Sequence, residues 1–346
     1  MSKNFRIRNQ SVGDGHPAFI IAEIGSNHNQ DYELALRMIE SALKSGADAV
    51  KFQTFKAEQH VSKWAETPAF YEERNTQNLL RPLELNRAWQ AGLQEHTEAL
   101  GGIFFSSPCD FEAVDSLEAI DAPAHKVASF DLPDTDLIAY IAKTRKPIIL
   151  STGLADWMDI QRAVDTCRAC GNEKIVLLQC TSLYPAPSEL SNLKAMDSMR
   201  AAFNVLTGYS DHTLGGVVSL GAVARGACVI EKHFTLDRGL PGPDHSFAME
   251  PAEFAKMVSD IREIESALGD GVKNGPRNEE AEMAEKVRRS LHAARDIEEG
   301  EDISADMLVI KRPGLGLPPF LSPHIVGRKA RRRIKADEWI TWDMMV

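Results

Sequence analysis

FIIAEIGSNHNQ, residues 19–30, is the stretch on which the fold of this chain turns. Its first six residues read as a β-strand, apolar and branched, running into a turn of small polar residues. A doubly wound open sheet would carry G-x-G-x-x-G at that turn, so that the backbone could approach a pyrophosphate at the next helix N-terminus. Here the turn reads EIGSNHNQ, and that architecture loses its signature. The next segment, DYELALRMIESALKSG (31–46), has Asp31 as a helix N-cap, Leu34, Met38 and Ala42 at helical spacing, and Gly46 at the helix end.

The same alternation continues outward. Strands are expected at 19–24, 49–54, 103–107, 125–129, 147–152, 175–181, 204–210 and 228–234, with helix-patterned segments between them. Eight strands alternating with helices over about 270 residues are what a (β/α)8 barrel requires. The expected fold class is therefore α/β, with a (β/α)8 barrel over residues 1–272. Gly269, Asp270, Gly271, Asn274, Gly275 and Pro276 mark a change of character, read as a linker over 273–285. Short β-like pieces with Gly and Pro turns then suggest a small, mainly β domain over 286–346. Its run RKARRR reads as a solvated face.

The 346 residues are 43% hydrophobic and 26% charged, ordinary for a globular protein with a sizeable core. A net charge of -11 argues against a general nucleic-acid or anionic-membrane binder, yet leaves room for an anionic small substrate in a local basic pocket. No segment approaches the roughly 20 apolar residues of a membrane span. The apolar run after the N-terminus is cut by Glu23, against a signal peptide. Five scattered cysteines fit a cytoplasmic protein. Cys167 and Cys170 form a C-x-x-C without a second pair, read as buried or half-buried thiols rather than a metal or redox site.

In a (β/α)8 barrel the active site forms at the carboxyl ends of the strands. Polar residues gather there in strand order: Glu23, Asn27 and His28; Lys51 and Gln53; Ser106 and Ser107; Lys126 and Ser129, with Asp131 beyond; Ser151 and Thr152; Gln179, Thr181 and Tyr184; Ser210, Asp211 and His212; Glu231, Lys232 and His233. Any one of them could be a buried polar residue with a satisfied hydrogen bond, Gln179 and Thr181 above all. Their recurrence on all eight strands reads as a site, because buried charges are costly unless paired or bound to ligand. Two lysines with several hydroxyls suit a phosphate and a carboxylate. Two imidazoles on adjacent strands suit a divalent cation, with the remaining positions going to water, substrate or Glu23.

IAEIGSNHNQ, GADAVKFQTFKA, LSTG, CTSLYPAP, NLKAM, GYSDHT, VIEKHFTLDR and GPDH, followed by RSLHAARDIEEGE and KRPGLG, occur in this order over nearly the whole chain. In these motifs the chain resembles the sialic acid synthases, N-acetylneuraminate synthase and its relatives. The resemblance implies a (β/α)8 barrel with a C-terminal antifreeze-like (SAF) domain, paired in a domain-swapped homodimer. It also implies condensation of phosphoenolpyruvate with an N-acetylmannosamine-type sugar, with release of phosphate by C–O cleavage. By motif, His212 and His233 would hold the metal, Mn2+ or Mg2+. Lys51, Lys126, Ser107, Ser129, Ser151 and Ser210 would surround phosphoenolpyruvate; Glu23, Gln53, Tyr184 and Asp244 would line the sugar site or the metal surroundings. Arg312 would reach the N-acetyl group from the partner's small domain. Asp131 stands where many members carry Glu and is the candidate acid/base for the attacking water. Relatives acting on diacetamido trideoxy sugars make legionaminic or pseudaminic acid, and GSNH and PGPDH lean towards the neuraminic and legionaminic branches. The alternative from another class is a non-catalytic carbohydrate- or ice-binding protein, for which the polar strand ends would have no use.

Overall fold

A computed structural model describes residues 3–67 and 73–346. It divides into two compact units, Met1–Gly269 and Asp270–Val346.

The first unit opens with an antiparallel hairpin, β1 (Asn4–Ile7) and β2 (Gln10–Gly13). Eight parallel strands succeed it: β3 (Phe19–Gly25), β4 (Ala49–Thr54), β5 (Ile103–Pro108), β6 (His125–Val127), β7 (Ile148–Ser151), β8 (Ile175–Cys180), β9 (Leu206–Asp211) and β10 (Val229–His233). They pair in chain order, and β10 closes on β3 to complete a barrel. These are the eight expected strands to within a few residues. The fourth is shorter than its pattern predicts, because the chain turns into a 3-10 helix at Ser129–Asp131.

The strands run parallel, so each needs a crossover, and aspartates start several of the crossover helices. Asp31, Asp110, Asp134 and Asp156 each accept a backbone N–H in the first turn of the adjoining helix. Such caps satisfy donors that the first helical turn leaves free. They also fix the helix N-termini on the face where the strands end.

Period-two alternation divides each barrel strand into an inner and an outer row. The inner rows begin apolar: Phe19 and Ile21, Ala49, Ile103 and Phe105, Ala124, Ile149, Val176 and Leu178, Leu206, and Val229 form one buried cluster. Ile7 and Val12 of the hairpin belong to that cluster and cover the N-terminal end of the barrel. The outer rows pack against the helices, in a larger cluster that includes Ile20, Ala22, Val50, Phe52, Phe104 and Ile230.

The second unit has its own core, including Leu291, Ile297, Ile303, Ile325, Ile334 and Ile340. A two-stranded antiparallel sheet, β11 (Ser290–Ala293) and β12 (Leu308–Lys311), is supplemented by isolated bridges such as Ile297 with Ile334. The segment read as a linker is helical in its second half, from a 3-10 turn at Asn278–Glu280 into a helix at Ala281–Val287. The RKARRR face is ion-paired: Lys329 with Asp302, Arg332 with Glu338 and Arg333 with Asp296. Among the described residues no helix is long and apolar enough to cross a membrane.

Candidate active site

Towards the carboxyl ends, the inner rows change from apolar to polar. Glu23, Lys51 and Gln53, Ser107, Lys126, Ser151, Ser210, and Glu231 with His233 continue the rows that Phe19, Ala49, Ile103, Ala124, Ile149, Leu206 and Val229 begin. Backbone register brings them level, pairing Glu23 with Lys51, Gln53 with Ser107, Ser210 with Glu231 and His233 with Glu23.

Lys51 is the hub. Its ammonium lies 2.8 Å from Glu23 Oε2 and 3.7 Å from Glu231 Oε1, and donates to Ser107 Oγ at 3.2 Å. Gln53 Nε2 donates to Glu23 Oε1 at 2.8 Å, and Ser210 Oγ donates to Glu231 Oε1 at 3.2 Å. Gly25 makes the Glu23–Gln53 contact possible: its φ is +56°, and a Cβ there would lie 3.0 Å from Glu23 Oε1 and 3.1 Å from Gln53 Nε2. Burial acts on every titrating group in the cluster. It raises Glu23, and Lys51 recovers only part of that. Burial opposes the charge on Lys51, but the two carboxylates outweigh it and hold the ammonium above its ordinary value. Glu231 is pulled below the ordinary range, because Lys126, Lys51 and His212 together exceed its burial penalty.

Lys126 differs from Lys51. It is fully buried, donates to Ser151 Oγ at 2.6 Å and to the Val127 carbonyl at 2.8 Å, and has no carboxylate at ion-pair distance among the described residues. Burial draws it below its ordinary value, and the more distant Glu231 offsets this only in part. A buried cation with neutral acceptors alone is costly unless an anion completes it.

The two histidines stand on adjacent strand ends with ring centroids 5.4 Å apart. His212 Nδ1 is bonded to the Thr181 carbonyl at 2.8 Å, which places a proton on Nδ1. Burial opposes its charge, but the Cys180 sulfur and that carbonyl outweigh burial and raise it. His233 is drawn well below its ordinary value by burial, then by His212 and Lys51, so the ring is neutral. Its buried Nδ1 has no hydrogen-bond partner, and Asp244 Oδ2 lies 3.8 Å away. A neutral imidazole with an orphaned nitrogen, a second imidazole with its tautomer set, and nearby carboxylates fit a divalent cation. The Tyr184 ring lies over His212 at 4.2 Å and Phe247 packs on His233 at 5.0 Å, walling the pair on the apolar side. Burial raises Asp244 to about 6, against the pull of His212 and Lys51.

Ser129 and Asp131 occupy the turn after β6. Ser129 Oγ accepts the Gly153 N–H at 3.0 Å. Asp131 is raised by burial, with His60 at 3.9 Å lowering it, and its Oδ2 has no partner.

Several polar strand-end residues are not part of this interior. Asp211 and Lys232 sit on the outer rows, 3.1 Å apart. Ser106 is bonded outward to Thr54, and His125 to Glu118. His28 packs against Phe52 and Trp89, and Asn27 ties its loop to the Phe234 carbonyl. Gln179 and Thr181 are satisfied by the backbone carbonyls of Ser191 and Leu190. The ring of polar strand ends thus separates into an inner site and an outer structural set, because adjacent residues of a strand face opposite sides. Arg312 belongs to the second unit, exposed just past β12. Glu231 is the site residue to which the sequence assigned no role beyond its strand end; its place two residues before His233 on one strand was the available signal.

Comparison with known proteins identifies the family of the chain. Residues 38–273 match the NeuB family and residues 288–346 the SAF domain. The chain is 40% identical to the N,N'-diacetyllegionaminic acid synthase of Legionella pneumophila, over 96% of this chain and 95% of that protein. It is 35% identical to the human N-acetylneuraminate-9-phosphate synthase, over 96% of this chain and 94% of the other. Among solved structures, the N-acetylneuraminic acid synthetase of Leptospira borgpetersenii, crystallised with citrate, superposes with a TM-score of 0.74 at 35% identity, covering 82% of this chain and 95% of that one.

Proposed function

The chain belongs to the NeuB family of nonulosonic acid synthases, and from that premise we propose that it condenses phosphoenolpyruvate with the open-chain aldehyde of an N-acetylmannosamine-type sugar. The observation that carries this reading is Lys126, a buried ammonium with only neutral acceptors, beside the Lys51–Ser107 pair. Together they offer two cations and two hydroxyls to a small ligand bearing a phosphate and a carboxylate.

The reaction forms a C–C bond from C3 of phosphoenolpyruvate to the aldehyde carbon, adds water at C2, and expels phosphate with its bridging oxygen. Lys51 and Lys126 hold the anionic groups in a site that excludes bulk water, where such contacts are strong. Ser151 and Ser210 add short donors to the same wall. Asp131, with its unpartnered Oδ2, takes the proton of the attacking water. Glu23 is positioned by Lys51 and Gln53 to face the incoming sugar, with Tyr184 and Asp244 lining the other side. His212 and His233 would hold Mn2+ or Mg2+, a Lewis acid that polarises the sugar aldehyde when bound. Arg312 would close the site of a partner chain in a homodimer, contacting the N-acetyl group.

A second acceptor is favoured by the 40% identity to the legionaminic acid synthase, against 35% to the N-acetylneuraminate-9-phosphate synthase: a diacetamido trideoxy hexose. Incubation with phosphoenolpyruvate, Mn2+ and each of N-acetylmannosamine, its 6-phosphate and the diacetamido sugar, with mass spectrometry of the products, separates these readings. Phosphate release with arabinose 5-phosphate and with none of the three would overturn the proposal. Under the same assay EDTA abolishes turnover, as do His212→Ala and His233→Ala, while all three preparations keep the far-UV spectrum of the native barrel.

A further inference from the structure

Three consecutive strand-to-helix loops bring together donors that the reaction above does not require as a set. His60 ends the short helix after β4, Cys109 comes directly after β5, and Asp131 closes the turn after β6. One donor atom from each, an imidazole nitrogen, the thiol sulfur and a carboxylate oxygen, lie within 4.8 Å of one another, the one such trio among the described residues. His60 Nδ1 is 3.9 Å from Asp131 Oδ1. The other carboxylate oxygen, Oδ2, is buried without a hydrogen-bond partner. All three residues are half-buried, so the trio is sheltered yet reachable.

From this geometry we propose that His60, Cys109 and Asp131 form a second cation site, distinct from the His212/His233 pair and selective for a soft divalent ion such as Zn2+. Donors around a tetrahedral zinc stand about 3.5 Å apart, given bond lengths of roughly 2.0–2.3 Å. Three protein ligands leave the fourth position to water. A thiolate selects zinc over the harder Mn2+ and Mg2+ more strongly than two imidazoles with carboxylates around them do. Binding deprotonates Cys109: the S–H bond breaks, a sulfur–metal bond forms, and the proton leaves to solvent. An ion here would engage Asp131, the residue proposed above to receive the water's proton, so zinc would act against turnover while manganese supports it.

Co2+ alone is the test, because a cobalt–thiolate bond gives a near-ultraviolet charge-transfer band and a cobalt–imidazole bond does not. Titration of metal-free protein should develop this band to one thiolate-bound cobalt per chain. Cys180→Ser, which removes the thiol beside His212, and the His212→Ala/His233→Ala double variant should both retain it. Cys109→Ser should lose it, and His60→Ala should weaken cobalt binding at this band at least tenfold. Absence of the band in the unsubstituted protein, its survival in Cys109→Ser, or its loss in Cys180→Ser would each overturn the proposal. None of these readouts depends on the identity of the sugar or on turnover.

Discussion

Two sets of buried ionic groups meet on β10, from its opposite faces, and have opposite characters. Outside the barrel, Asp211 and Lys232 are closed on themselves. Asp211 Oδ1 accepts from the Thr213 N–H and hydroxyl at 2.8 and 2.7 Å, its Oδ2 from Ser219 at 2.6 Å, and Lys232 Nζ also donates to the Thr213 carbonyl. Inside, Lys51 is shared between Glu23 and Glu231, yet Glu231 Oε2 and His233 Nδ1 lack hydrogen-bond partners. Both sets carry the desolvation cost of buried charge. Only the outer one is satisfied by the chain itself. Satisfaction, more than burial or charge, separates a polar group that holds the fold together from one that awaits a ligand.

The contrast can be broken by exchanging the two behaviours. Lys51→Met should have the largest effect, lowering kcat/KM for phosphoenolpyruvate about a thousandfold and destabilising by about 3–5 kcal/mol as two buried carboxylates lose their shared cation. Phosphate-release kinetics and urea unfolding measure the two losses; retention of kcat/KM would equate the inner set with the outer. Lys232→Met should cost a similar 3–5 kcal/mol in urea unfolding, with kcat/KM of the folded fraction within about twofold, and Asp211→Leu/Lys232→Met should recover part of the loss. A hundredfold fall in kcat/KM for Lys232→Met would place that residue in the site. Glu231→Gln tests the inner set more gently: about a hundredfold less activity, with a lowered unfolding midpoint, since Lys126, Lys51 and His212 lose the carboxylate charge they hold ionised.

The smallest effect concerns pH. Burial holds His28 at about 4 against an ordinary 6.5. A lowered value means that the folded state favours the neutral ring, so the stability this contributes is complete above pH 6.5 and is lost as pH falls towards 4. Between pH 7 and pH 5 the loss should be about 2 kcal/mol. His28→Phe should remove that part of the pH dependence, measured as urea midpoints at both values; an unchanged slope would assign it to other groups.

The barrel itself is legible in the sequence. Each strand stands out as a short apolar run between helix-patterned segments, and Asp31 is readable as a cap from its place before Leu34, Met38 and Ala42. The inner site is legible in part. Lys51 with Gln53, and Glu231 with His233, share a side by the two-residue period alone. The split within GYSDHT and VIEKHF is harder to see, although the same period implies it: Ser210 and His212 go in while Asp211 goes out, and Glu231 and His233 go in while Lys232 goes out. That Asp211 meets Lys232 depends on the register of β9 against β10, which local pattern does not contain. The fourth strand's early end is likewise invisible, since Ala128 and Ser129 suit a strand as well as a turn.

Sequence alone therefore determined the alternation of strands and helices, the capping of helices, and which residue types stand at the strand ends. Each of these results from chemistry within a few residues along the chain. Tertiary structure decided which of the strand-end groups meet, that Lys51 has two carboxylates at ion-pair distance while Lys126 has none among the described residues, and that His60, Cys109 and Asp131 converge from three loops. Those outcomes depend on strand register and barrel closure, which bring together residues dozens of positions apart and can be read only once the sheet has closed.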